Sequence, residues 1–185
     1  MLWGAASGQL ELRQTENGGF RIYGAFPYGV ETELAPGRAE RIESRAFASR
    51  LDDAGQDIHF LSGHDYAKPL ASRQAGNLFI YHDAQADAVQ IAVDVKRGTS
   101  WANDFIEAYN AGLIRGLSPG FRVSPGGEKV ETRGNVLLRS ITRAELFEVS
   151  AVTVPAYSQA QIEARSWQAP KLTNLANHHL NRWRL

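Results

Sequence analysis

"GLSPGFRV", residues 116–123, contains Gly116-Leu117-Ser118-Pro119-Gly120, a G-x-S-x-G pattern. Whether Ser118 sits on a strand-to-helix elbow or inside an extended strand decides the fold. An α/β-hydrolase elbow needs a strand, a sharp turn and then a helix, set in a parallel sheet. Here the order is reversed. Upstream, Thr99 or Ser100 can cap a helix in which Trp101, Phe105, Tyr109 and Leu113 recur at a spacing of four, with Gly112 near its end. Downstream, Phe121 and Val123 continue as strand. The elbow also takes an oxyanion donor from the N–H after its nucleophile, and Pro119 has none. Its chain order of serine, acid and histidine would leave only His178 or His179 as base, in a polar tail. The elbow is excluded. Pro119 instead pushes Ser118 into an extended conformation, and Gly116 and Gly120 permit close approach beside it. Two readings stay open on these residues: a serine presented for catalysis, or a plain turn, since Ser-Pro-Gly is above all a turn signature.

Outward from this stretch, short strand signals follow one another. "FRIYGAF" (20–26), "DIHFLS" (57–62), "NLFIYH" (77–82), "NVLLRSI" (135–141) and "AELFEVSAVTV" (144–154) are strand candidates. The clearest is "AVQIAVDV" (88–95), where Val89, Ile91, Val93 and Val95 alternate with Gln90, Ala92 and Asp94. Residues 42–51 read as a short helix with Ser44 at its cap. About seven strands and two helices without βαβ alternation predict a mainly β, mainly antiparallel barrel or sandwich. Residues 1–19 read as a flexible segment and 20–157 as the folded domain, closed by Pro155. Residues 158–185 form a tail whose Leu172, Leu175, Leu180 and Trp183 suit a helix or a docking element.

Composition narrows the function. The chain has 185 residues, 20 basic and 20 acidic, and a hydrophobic fraction of 43%. Balanced charge gives no electrostatic case for nucleic acid or a membrane surface. The absence of cysteine excludes disulfides, thiol catalysis and thiolate metal sites. Neither a signal peptide nor a membrane span is expected, and the cytoplasm is the expected compartment.

The titratable residues carry the rest. In "DIHFLSGHD" (57–65), alternation places Ile58, Phe60, Ser62 and His64 on one face and His59, Leu61 and Gly63 on the other. His64 then ends a strand on its apolar side, where a loop begins, as suits a general base or a turn-capping histidine. His59 and His82 read as solvent-side residues, and His178-His179 lacks an acidic partner at metal-binding spacing, so no metal site and no cofactor are expected. Along "AELFEVSAVTVP" (144–155), Leu146, Glu148, Ser150 and Val152 share one face. Glu148 is a carboxylate in a strand apolar on both sides, and such a group requires a partner. A histidine, Arg139 or Arg143 would serve.

"GHDYAKPLAS" (63–72), "AGLIRGLSPGF" (111–121) and "ITRAELFEVSAVTVPAY" (141–157) resemble, in order and spacing, three blocks of the tailed-phage prohead proteases, and "RAERIESRAFASRL" (38–51) resembles a segment ahead of them. Gene transfer agents carry similar proteins. The resemblance implies an assemblin-like fold, a seven-stranded barrel with surrounding helices. It also implies a serine endopeptidase packaged in the immature capsid in the host cytoplasm, which trims the major capsid protein or a scaffold and often cleaves itself. Matched block by block, Ser118 falls on the nucleophile and His64 on the general base, with Glu148 as third member. Arg139, through a bound water, and the N–H of Gly120 are the implied oxyanion supports. Gly63 stands where the family has Asn, and Pro119 where it has Phe. The expected partners are capsid protein and scaffold as substrates, with a homo-oligomer and self-cleavage beyond about Ala160 as further expectations. The rival expectation is an inactive barrel of the same lineage that binds scaffold during assembly.

Overall fold

The alternating stretch 88–95 is a strand along its whole length, and a sheet is assembled around it. In the computed structural model, which describes residues 2–3, 9–15 and 19–153, this sheet runs β2 (Gln9–Gln14), β3 (Phe20–Pro27), β9 (Ala88–Val95) and β8 (Leu78–Asp83), all antiparallel. Its apolar face, with Ile22, Phe26, Leu78, Ile80, Ile91 and Val93, is buried. A second sheet runs β1 (Leu2–Trp3), β10 (Gly116–Val123), β13 (Ala144–Val152), β6 (His59–Ser62) and β7 (Pro69–Ser72). A third runs β11 (Glu128–Arg133), β12 (Val136–Ile141), β5 (Arg38–Ile42) and β4 (Glu31–Ala35). The first two share one core, to which Phe60, Leu117, Phe121, Leu146 and Val149 contribute from the second.

The chain is mainly β and its ladders are mainly antiparallel, β12–β5 and β13–β6 being parallel. The expected closed seven-stranded barrel is a different matter: the ladders form three open sheets. The difference lies in short polar strands whose sequences carry no apolar alternation. In β4, β5 and β11 the residues are Glu31, Glu33, Arg38, Glu40, Glu128, Glu131 and Arg133. Cross-strand charge pairs support such strands, and Glu31 here accepts from both Arg41 and Arg133 at 2.9 Å.

Two further elements differ from expectation. Over 42–51 only α1 (Ala48–Leu51) is helical. Arg45 has φ 57°, which interrupts any helix through it, and Ser44 Oγ donates to Asp87 Oδ1 at 2.5 Å instead of capping. Within 1–19, expected to be flexible, β1 pairs with β10 and β2 with β3. The Leu12 N–H also donates to the hydroxyl of Tyr109 at 3.0 Å. The tail 158–185 lies outside the described residues. The long helix, α2 (Ser100–Asn110), forms as the spacing predicts: Thr99 is its N-cap, accepting from the Ala102 N–H at 3.3 Å, and Phe105 and Ile106 enter the core. Among the described residues no helix is long and apolar enough to cross a membrane.

Candidate active site

β13 is the centre of the second sheet, with β10 on one side and β6 on the other. Glu148 and Ser150, both fully buried, alternate with Val149 and Ala151, which enter the hydrophobic core. A buried carboxylate without partners would cost several kcal/mol, and Glu148 has two. His64 Nδ1 lies 2.7 Å from Oε1, and Ser150 Oγ donates to Oε2 at 2.5 Å. Of the three partners open to Glu148 in sequence, His64 is the one beside it. Arg143 Nη2 instead donates to the carbonyl of Pro125 at 3.1 Å.

His64 reaches Glu148 from a tight turn at the end of β6. Gly63 and His64 have φ of 65° and 64°, and the Asp65 N–H donates to the Ser62 carbonyl at 3.3 Å. Two central residues with positive φ are what a type I′ turn requires. Glycine adopts this freely, so Gly63, the residue that replaces Asn, suits the turn. For His64 the left-handed conformation costs about 1–3 kcal/mol and needs support from its surroundings. That support comes from β13: the Gly63 N–H donates to the Ala151 carbonyl at 3.0 Å and the His64 N–H to Ser150 Oγ at 3.0 Å. An ionised carboxylate only accepts, so Nδ1 carries the proton and Nε2 is the basic nitrogen.

Ser118 arrives on the other side of β13. In the β10–β13 ladder Ser118 pairs with Ser150 and Gly120 with Glu148. Paired residues in an antiparallel ladder present their side chains to one face, about 4.5–5.5 Å apart. Ser118 therefore stands on the face that holds Glu148 and Ser150, and its exposure is 1%. Gly120 has a steric role that sequence reading missed. A Cβ at that position would lie 1.9 Å from Glu148 Oε1 and 2.7 Å from its Cδ. The carboxylate occupies the space a side chain would fill.

Arg139 is not part of this group. It lies on β12 in the third sheet, 2% exposed; Nη1 donates to Glu40 Oε2 at 2.7 Å and Nε to Glu128 Oε2 at 2.8 Å. Its guanidinium is thereby held between two carboxylates of the third sheet. Gly120 remains next to the serine. Ser150 is the residue that sequence reading placed on the right face without assigning it a role. Of the other histidines, His59 lies near Asp57 and its ring meets Tyr66 edge-on at 5.7 Å, while His82 packs against the ring of Tyr28 at 5.6 Å. Among the described residues no group of three or more His, Asp or Glu is arranged to hold a metal ion.

A buried Glu–His pair with a serine in register on the neighbouring strand is the material of nucleophilic acyl transfer. Comparison with curated proteins and with solved structures gave no match. The family model described as caudovirus prohead serine protease matches residues 8–174, which take in all three groups and most of the 185-residue chain. The chain belongs to the caudovirus prohead serine protease family.

Proposed function

We propose that this chain is a serine endopeptidase that cleaves the major capsid protein, or a separate scaffold, within the immature capsid. The observation that carries the reading is the 2.7 Å contact of His64 Nδ1 with buried Glu148, on the strand that sets Ser118 opposite Ser150. Ser118 Oγ attacks the scissile carbonyl while His64 Nε2 takes its proton and returns it to the leaving amine. Water then repeats the sequence on the acyl-enzyme and regenerates the serine. Glu148 fixes the tautomer and stabilises the imidazolium. Proton transfer of this kind contributes about 10²–10⁴-fold. The N–H of Gly120 is the remaining candidate among the expected oxyanion donors.

The burial of Ser118 favours a second reading. A peptide bond reaches its Oγ only after the surroundings open, as in a precursor activated on assembly or in an inactive relative kept for scaffold binding. Co-expression with the capsid protein of the same particle, wild type against Ser118→Ala, separates these. The protease reading expects a shortened capsid protein in intact mass spectra with wild type and a whole one with the variant. Particles that form with uncut capsid protein in both cases refute it in favour of the inactive relative.

A further inference from the structure

We infer that Ser150 is a positioning residue for the reaction, one that holds Glu148 and His64 in a single closed ring of hydrogen bonds. The inference rests on the roles proposed for Ser118, His64 and Glu148. A hydroxyl has one proton to donate and two lone pairs. Ser150 gives its proton to Glu148 Oε2 at 2.5 Å and accepts the His64 N–H at 3.0 Å. The other carboxylate oxygen, Oε1, meets His64 Nδ1 at 2.7 Å. Histidine 64 is thus fastened twice to the same carboxylate, through its ring directly and through its backbone by way of Ser150.

Each half of this ring does something the other cannot. The Nδ1 contact alone would fix the tautomer but leave the carboxylate free to rotate about its last torsion, carrying the imidazole with it. The Ser150 bond to Oε2 stops that rotation. The backbone contact alone would steady the left-handed conformation at His64, φ 64°, without aiming the ring. Because Ser150 sits directly opposite Ser118 in the ladder, it sets the ring relative to the very strand that carries the attacking oxygen. Its burial is complete, so bulk water offers no substitute for the hydroxyl.

The test uses Ser150→Ala and Ser150→Thr in the full chain, the second retaining a hydroxyl on a side chain suited to a strand. One readout is the rate at which a fluorophosphonate probe labels Ser118, which reports activation of the serine without a peptide substrate. The other is the downfield proton resonance of the His64 Nδ1–H, which reports the contact with Glu148 directly. Supporting groups of this kind change activity by about 10–100-fold. The alanine variant is expected to label that much more slowly and to lose or shift the resonance, and the threonine variant to recover both. A folded alanine variant that labels at the wild-type rate with its resonance in place overturns the inference, and so does one that is merely less stable. Should the alanine variant fail to fold, Ser150→Cys, similar in shape but a weak donor, is expected to give the same loss, and its failure to do so has the same force. A wild-type protein that does not label at Ser118 would mark a site still closed, as in an unassembled precursor or an inactive relative, and the resonance alone would then decide the role of Ser150.

Discussion

Replacing Gly120 by alanine adds a single methyl group, and the geometry around Glu148 makes it a severe change. An ideal Cβ there lies 1.9 Å from Oε1, 2.7 Å from Cδ and 2.9 Å from Cγ of Glu148. Carbon and oxygen in close contact sit about 3.3 Å apart or more, so the carboxylate must retreat by about 1.4 Å. A retreat away from His64 takes the 2.7 Å contact beyond hydrogen-bond range, and one toward it drives the oxygen into the ring. The alternative is to part β10 from β13, at the expense of the ladder between them. Overpacking of this kind costs about 1–3 kcal/mol, and a buried charge deprived of its partner about 3–5 kcal/mol. Loss of the orienting carboxylate in a serine triad lowers kcat by about 10⁴, so capsid-protein cleavage and probe labelling of Ser118 should fall by at least about 10²-fold. Thermal melting gives the stability, and Gly120→Ala/Glu148→Ala supplies the control: with the carboxylate gone the methyl fits, so much of the melting temperature should return while activity does not. A Gly120→Ala protein that melts and cleaves like wild type would refute the steric argument and the placement of Glu148 with it.

Two other perturbations separate stability from chemistry. Arg139→Met removes the cation from between Glu40 and Glu128, a change of about 3–5 kcal/mol for a buried pair. Chemical denaturation should register that loss, with the labelling rate of the folded fraction unchanged; slowed labelling would return Arg139 to the reaction. The Arg21–Asp94 pair makes a pH prediction. Arg21 Nε and Nη2 donate to the two oxygens of Asp94 at 2.5 and 2.6 Å and hold its carboxyl below the usual range. The stabilisation is present above the unfolded value of about 3.9 and disappears as pH falls through the lower folded value. Both side chains are well exposed, 40% and 32%, so solvent screens the pair and the effect is small. Asp94→Asn should lower the melting temperature at pH 7, with the gap narrowing as pH falls below about 4; a gap that stays constant as the pH is lowered until the protein unfolds would assign the effect to something other than the ion pair.

What could be read from sequence was set by local pattern. Alternation found β9 and helical spacing with Thr99 found α2, but the faces read over 57–65 and 144–155 did not carry through: the positive-φ turn at Gly63-His64 brings His64 to Glu148 rather than to the Phe60 face, and the register shift between Glu148 and Leu146 leaves Leu146 and Val149 both in the core. Pro119 was enough to reject the elbow and hold Ser118 in a strand, where β10 has it. What escaped is non-local. The polar strands of the third sheet are strands because of their partners across the ladder, and nothing within Glu31–Ala35 announces them. The role of Gly120 depends on which residue of β13 stands opposite, and that of Arg139 on carboxylates 11 and 99 residues away. A buried arginine and a buried glutamate close together in sequence invited pairing with one another; Arg139 instead meets Glu40 and Glu128 on neighbouring strands, and Glu148 meets His64 in the turn after β6 and Ser150 on its own strand.

The site is in this sense written in the register of β10 on β13. A slip of one residue turns every side chain of a strand to the opposite face. It would bring the Pro119 ring level with Ser150 or Glu148 and carry Ser118 away from both. Two features resist that slip. The register shifts between Gly120 and Phe121, and such an irregularity locks the pairing on either side of it. The Glu148 carboxylate fits only opposite a residue without a side chain, and Gly120 is the one glycine within reach of it on β10. Pro119 stands opposite Val149 in the β10–β13 ladder and has no N–H to give to it. The same three residues that spell a turn, Ser118-Pro119-Gly120, here supply the proposed nucleophile, a spacer and a socket for the carboxylate.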